Sequence, residues 1–169
     1  SADGLTLSHE PDESLLPNTP YRVEAVTSIQ DIAGNLANQT IFSFTTGADA
    51  AADNEAPTVI GSSLVDGVTD VPVNTPLHLF FSEQMNDQCI SDGTVVISAA
   101  GVPVAGAISA SADRRTITFT PDELLAAATV YQVDVVGLCD LADNPVTPFN
   151  STFTTSALST ADTTRPSVV

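Results

Sequence analysis

Hydrophobic and polar residues alternate in several short segments in the second half of the chain. The clearest examples are "TITFTP" (116–121) and "VYQVDVV" (130–136), where about every second residue is apolar. Because strand side chains point alternately to the two faces, this pattern predicts strands with one buried face. Gly, Pro, Asn and Asp between these segments predict tight turns. The pattern therefore predicts an all-β protein built from short strands.

About seven strands are expected between residues 57 and 155, which is the number found in an immunoglobulin-like (Ig-like) β-sandwich. We expect a loop at 66–76 and one helical turn, capped by Asp122, at 122–128. In "FFS" (80–82), one Phe must face the core and the other the opposite side. The expected strands are 57–64, 77–82, 94–99, 102–109, 116–121, 130–136 and 149–155.

The chain repeats itself at a long interval. "PDESLLPNTPYRVEAV" (11–26) matches "PDELLAAATVYQVDVV" (121–136), and "DIAGN" with its closing "FTT" (31–46) returns as "DLADN" with "FTT" (140–155), 109 residues later. A period near 109 residues predicts tandem β-sandwich domains. The predicted parts are the C-terminal half of one repeat (1–47), an acidic linker (48–56), a complete repeat (57–155), and a linker with the first strand of a next repeat (156–169).

Several motifs resemble one family. "APTVIGSSLVDGVTDVPVNTPLHLFFSEQM", "TITFTPDELLAAATVYQVDVV" and "DLADN" followed by "FTT" together resemble the bacterial Ig-like domains first described in surface-layer proteins. The resemblance covers 57–155, and residues 4–46 match its second half. It implies a non-catalytic stalk, spacer or accessory module in a bacterial cell-surface or secreted protein. Asp143 departs from the pattern, since the family and the first copy (Gly34) have Gly where φ is expected to be positive.

The charge balance limits the partners. Four basic and twenty-one acidic residues give a net charge of −17, which disfavours nucleic acids and anionic membrane surfaces. No apolar stretch is long enough to insert into a membrane as a helix. The expected partners are neighbouring Ig-like repeats, in an extracellular or cell-surface location.

Acidic residues form two groups of candidate ligands for Ca²⁺, the one cofactor that the sequence suggests. Hard oxygen ligands occur in the two Asp-x-Ala-x-Asn segments, although the same Asp side chains can instead fold the turn by accepting backbone N–H bonds. Acidic linker residues are the alternative group, and a solvated flexible linker is the competing interpretation. The candidates are Asp31, Asn35, Asp140, Asp143 and Asn144 in the loops, and Asp49, Asp53, Glu55 and Asp162 in the linkers.

Two pairs of residues have expected structural roles. Cys89 and Cys139 can form one disulfide or remain separate buried thiols. Tyr21 and Tyr131 occupy equivalent positions and resemble the Tyr that fixes a loop corner in Ig-like sandwiches by a hydroxyl bond to the backbone.

No catalytic constellation is recognisable. His9 and His78 share no metal-ligand spacing, no Gly-x-Ser-x-Gly turn is present, and Glu83 lacks a partner carboxylate at a known spacing. We therefore predict a non-enzyme. The alternatives to a spacer are an adhesin module that binds a protein or glycan, and an accessory domain of a secreted hydrolase.

The first half-repeat has an uncovered apolar face. Its expected strands are 4–9, 20–27 and 40–46, too few to close a sandwich, and open strand edges favour pairing. We expect this face to pack on the complete repeat or on a second chain, forming a packed or strand-exchanged homodimer through 166–169.

Overall fold

The structure is a computed structural model that describes residues 9, 11–48, 51–91 and 93–165. The chain divides into two units, Ser1–Ala52 and Asp53–Val169. Strands and turns build both units, and within the described residues a single 3-10 turn, Asp87–Cys89, is the only helical element. The predicted all-β class is confirmed.

The first unit contains a two-stranded antiparallel sheet of β1 (Pro20–Ala25) and β2 (Thr40–Thr45). Tyr21 lies opposite Phe44, and Val23 lies opposite Phe42. Because these positions share one face of the sheet, the hairpin has an apolar face. Phe42 and Phe44 on this face are 56% and 41% exposed. Most of the strand expected at 4–9 lies outside the described residues.

The second unit is a sandwich of two sheets. The five-stranded sheet has the order β4-β11-β10-β6-β7, and the four-stranded sheet has the order β3-β5-β9-β8. The Ig-like sandwich is confirmed. Its strands are β3 (Val59–Ser62), β4 (Val68–Val71), β5 (Leu77–Phe81), β6 (Val95–Ala99), β7 (Val102–Pro103), β8 (Gly106–Ala110), β9 (Thr116–Pro121), β10 (Val130–Val135) and β11 (Phe149–Thr155).

The core lies between the two sheets and follows the alternation of the strands. In β5, Leu77, Leu79 and Phe81 are buried while Phe80 is 43% exposed, as the alternation of "LHLFF" predicts. Val133 in β10 and Phe153 in β11 supply the opposite wall. Burial of these side chains stabilises the sandwich by roughly 1.5–3 kcal/mol each.

One loop and one strand predicted from the sequence are wrong. The expected loop 66–76 contains β4, which pairs in parallel with β11; its alternation is broken by Asp70, whose φ is 61°. The expected single strand 102–109 is two strands, because β7 pairs with β6 in one sheet and β8 pairs with β9 in the other. The chain crosses between the sheets within this segment.

The helical turn expected at 122–128 is also wrong, since no helix is present there. The backbone N–H of Leu125 donates to the carbonyl of Val73 at 2.8 Å, and the N–H of Asp122 donates to that of Ala105 at 3.0 Å. Long-range bonds thus replace the local bonds that a helix needs, and buried Leu125 anchors the segment on the core.

Candidate functional site

The two Asp-x-Ala-x-Asn segments form the same loop. In the first Asp loop (31–35), Oδ1 of Asp31 accepts the N–H groups of Ala33 (2.9 Å) and Asn35 (2.8 Å), and Oδ2 accepts the side-chain amide of Asn35 (2.8 Å). In the second Asp loop (140–144), the carboxylate of Asp140 accepts the three equivalent bonds at 2.7, 2.9 and 2.8 Å. Each carboxylate therefore folds its own turn.

The fourth position of each loop has a left-handed backbone. Gly34 has φ 86° and Asp143 has φ 64°, which confirms the positive φ expected from the Gly-to-Asp difference between the copies. Asp tolerates this conformation better than most residues. The added carboxylate of Asp143 accepts a hydrogen bond from the side-chain amide of Asn86 at 3.3 Å.

The surroundings of the two loops differ. Asp140 is 1% exposed, whereas Asp31 is exposed. The hydrogen bond from the side chain of Asn35, followed by the backbone bonds, lowers the pKa of Asp31. The same sequence motif thus produces a surface turn in one unit and a buried turn in the other.

Three carboxylates converge beside the second Asp loop. Ligand atoms of Asp53, Glu83 and Asp140 all lie within 4.8 Å of one another. Asp53 comes from the linker that precedes the sandwich, Glu83 follows β5, and an isolated bridge between Met85 and Asp140 brings the last two segments together. Glu83 was not among the predicted ligands, because this proximity arises from long-range pairing and leaves no local spacing.

The electrostatic environment of Glu83 is unfavourable for its charged form. Burial raises the pKa of Glu83, and the neighbouring charges of Asp140, Asp53 and Glu55 raise it further. Arg115 acts in the opposite direction. The three carboxylates therefore repel one another when all are ionised.

The other predicted ligands are scattered. Glu55 is exposed and lies near enough to Glu83 to affect its pKa, and Asp162 contacts Asn74 on the far side of the repeat. Asp31 and Asn35 belong to the first unit, and Asp49 lies outside the described residues. Asp143 lies close to two cysteine sulfurs, but these are bonded to each other and offer no thiolate.

Cys89 and Cys139 form a disulfide, with Cα atoms 5.6 Å apart and a sequence separation of 50 residues. The bond joins the 3-10 turn to the segment that enters the second Asp loop. It therefore covalently fixes the position of the loop that carries the three-carboxylate cluster.

Both tyrosines form the same corner. The hydroxyl of Tyr131 accepts the N–H of Ala126 at 2.8 Å, and its ring stacks on Phe153 with centroids 5.4 Å apart. In the first unit, the hydroxyl of Tyr21 accepts the N–H of Leu16 at 2.9 Å, and its ring stacks on Phe44 at 5.8 Å. A hydroxyl so placed satisfies a backbone donor and orders the preceding loop.

The chain segments next to the two linkers contact opposite ends of the sandwich. At the incoming end, the N–H of Thr147, which precedes β11, donates to the carbonyl of Pro57 at 2.9 Å. At the outgoing end, the N–H of Ser156, which follows β11, donates to the carbonyl of Val71 at 2.8 Å. The whole of β11 lies between these contacts. The chain therefore enters the repeat at one end and leaves it at the other.

His78, one of the two histidines, has a structural contact. Its Nδ1 lies 2.9 Å from the hydroxyl of Thr118 on the adjacent strand.

Across the described ranges, no helix is long and apolar enough to cross a membrane.

Comparisons with solved structures reveal similar folds. A methionine-rich copper resistance protein from Escherichia coli, PcoC, is 22% identical with a TM-score of 0.51, over 60% of this chain and 100% of that one. Two structures of the bacterial surface-layer protein SbsC are 18% and 20% identical with TM-scores of 0.47 and 0.48, each over 60% of this chain. This chain spans only 14% and 24% of those two structures. No curated protein sequence matches the chain significantly.

The likeness to the copper protein is one of fold. This chain has a single methionine, Met85, and it is fully buried. A family model described as the bacterial Ig-like domain matches residues 1–46 and again 53–155. These two matches cover most of the sequence. The chain belongs to the bacterial Ig-like domain family.

Proposed function

We propose that the chain supplies non-catalytic Ig-like spacer modules to a larger bacterial protein at the cell surface or outside the cell. The observation that carries the proposal is the attachment of the two linkers at opposite ends of the sandwich. In a tandem array with this connection, every repeat adds its own length to the array. Family membership supports the same conclusion.

The dimensions and the charge of the chain also fit a spacer. β11 has seven residues, and a strand of that length spans about 24 Å. A net charge of −17 makes neighbouring acidic modules repel one another, which favours an extended array.

An adhesin that binds glycans or proteins is the main alternative. Within the described part of the complete repeat, Phe80 is the one aromatic side chain that is exposed, at 43%. Glycan-binding and protein-binding surfaces are usually richer in aromatic residues, and this surface favours the spacer.

The distance between the two linkers tests the proposal. Fluorophores attached at Glu55→Cys and Thr163→Cys, with the native disulfide intact, report the separation of the linkers by energy transfer. We expect a distance that exceeds the length of β11, about 24 Å. A control pair at Glu55→Cys and Thr147→Cys reports the near end, where we expect a much shorter distance. Equal short distances for both pairs would contradict the attachment of the linkers at opposite ends of the sandwich.

Calcium-dependent stiffening is a further part of this proposal. Asp53, Glu83 and Asp140 supply three carboxylates whose mutual repulsion a divalent cation would relieve. Ca²⁺ takes six to eight oxygens, so backbone carbonyls or water must supply the rest. Asp53 belongs to the linker, and binding at this cluster would hold the linker on the sandwich.

Thermal unfolding during a calcium titration tests this part. We expect millimolar Ca²⁺ to raise the Tm of the oxidised chain, and the variant Glu83→Gln to lose most of that increase. Glu123→Gln, an exposed carboxyl outside the cluster, serves as the matched control and should respond like the parent chain. An unchanged Tm in the parent chain would remove the calcium proposal and leave the spacer proposal intact.

A further inference from the structure

The two linkers carry an aspartate at the same position of the repeat. Asp53 and Asp162 lie 109 residues apart, which is the offset of the repeat, and each follows an Ala. Oδ1 of Asp53 accepts the N–H of Glu55 at 3.1 Å, and Oδ1 of Asp162 accepts the N–H of Thr164 at 2.8 Å. Both linkers therefore contain the same side-chain turn, although the residues around the aspartate differ.

The complete repeat contacts the backbone of each of these aspartates with the side chain of an asparagine. In the outgoing linker, the side-chain amide of Asn74 donates to the carbonyl of Asp162 at 3.0 Å, and its Oδ1 accepts the N–H of Asp162 at 3.0 Å. In the incoming linker, the side-chain amide of Asn144 donates to the carbonyl of Asp53 at 3.2 Å. The repeat thus contacts one linker at each end.

The two sets of bonds are compatible at a single residue. Asn74 uses the N–H and one lone pair of the carbonyl of Asp162, whereas Asn144 uses only the carbonyl of Asp53. Since a carbonyl oxygen has two lone pairs, one linker aspartate can accept both amides while its side chain keeps the turn.

We propose that the linker aspartate is a shared docking residue between successive repeats. Its backbone binds the residue equivalent to Asn74 from the repeat before it and the residue equivalent to Asn144 from the repeat after it. The proposal rests on the tandem-spacer function and names what fixes the direction of the array. Both asparagines are neutral and bind the backbone of the aspartate, whereas the calcium proposal uses the carboxylate of Asp53, so this contact does not need a cation.

Crossed single substitutions, with a protease that cleaves before aspartate, test the docking. The rates measured are those at Ala52–Asp53, at Ala161–Asp162 and, as an internal reference for unfolding of the repeat, at Val133–Asp134 inside β10, in the oxidised 169-residue chain. Proteolysis reports the population of the opened linker when opening is fast.

We expect Asn74→Ala to raise cleavage at Ala161–Asp162 about fivefold relative to the reference, with no change at Ala52–Asp53. Asn144→Ala should produce the opposite pattern. Two controls accompany them. Asn150→Ala changes an exposed residue of β11, and Asn35→Ala removes the bond to Asp31 that matches the bond from Asn144 to Asp140.

Asn74 is exposed in a turn, so its variant tests the proposal even if Asn144→Ala unfolds the second Asp loop. Unchanged cleavage at Ala161–Asp162 in Asn74→Ala, or the same increase in Asn150→Ala, would overturn the docking. The linker distance measured by energy transfer is independent of this outcome. If the linkers lie at opposite ends of the sandwich but the asparagine variants leave cleavage unchanged, the docking is contradicted and the spacer proposal is not.

Discussion

Asp31 and Asp140 illustrate how much of this structure is decided at single positions. Each aspartate accepts the same three hydrogen bonds from the two residues that follow it at fixed spacing. The local sequence therefore determines the turn, and the surroundings determine only its exposure. This explains why the motif repeats in both copies, independently of any ligand.

Gly106 is a position where no side chain fits. A Cβ built there would lie 2.5 Å from Cζ of Phe119 and 2.6 Å from the backbone oxygen of Thr120. Because the backbone oxygen cannot move away, we expect Gly106→Ala to lower the free energy of unfolding, measured by urea denaturation, by about 1–3 kcal/mol. Gly61→Ala, whose Cβ would make an ordinary 3.4 Å contact with Phe80, is the control. Equal stability of the two variants would contradict this packing.

Glu83 makes stability depend on pH. Its pKa in the folded state is raised above the ordinary 4.5, so the folded state binds its proton more tightly than the unfolded state does. This contribution to stability is fully present below pH 4.5 and is lost as the pH rises through the folded-state pKa. We therefore expect Glu83→Gln to melt at a higher temperature than the parent chain at pH 7, in calcium-free buffer. The difference should disappear below pH 4.5, and a lower Tm at pH 7 would contradict the repulsive cluster.

The strands could be predicted where alternation is strong and one face is buried, as in β5, β9, β10 and β11. β4 is not predictable from its own sequence, because it has four residues and pairs with β11, far along the chain. β7 has two residues and directly precedes β8, so the sequence does not show that the two strands belong to different sheets. The local residues of 122–128 predict a helical turn, but hydrogen bonds to Val73 and Ala105 give this segment a non-helical structure. Among site residues, the disulfide was predicted as one of two alternatives, whereas Glu83 and Asn74 gave no local pattern.

The disulfide joins elements that strand pairing alone connects weakly. It closes a loop of 50 residues, and loop entropy predicts a stabilisation of about 4 kcal/mol. We expect reductant to shift the urea midpoint of the sandwich to a clearly lower concentration. The double variant Cys89→Ala, Cys139→Ala should unfold at that lower midpoint with or without reductant. A urea midpoint of the parent chain that does not change with reductant would contradict the disulfide.

On the scale of the complete chain, the exposed face of the first unit remains the source of the predicted self-association. Phe42 and Phe44 lie on one face of the hairpin beside Tyr21 and Val23. Removal of such a face from water is worth about 25 cal/mol per Å².

We expect the weight-average mass, measured by sedimentation equilibrium, to rise above that of a monomer as concentration increases. Phe42→Asp should reduce this association, whereas Leu124→Asp, an exposed position of the second unit, should not. A strict monomer at every concentration would remove the homodimer prediction.

A spacer must resist tension along the line between its linkers, so force spectroscopy on the complete chain, pulled from its two ends, is the most direct test. The disulfide excludes 50 residues of the repeat 57–155 from extension. At about 3.6 Å per residue, one unfolding event should release roughly 180 Å of chain in the oxidised protein and roughly 350 Å after reduction, before the folded length is subtracted. Extension of the oxidised chain without any unfolding event would contradict a spacer that carries tension.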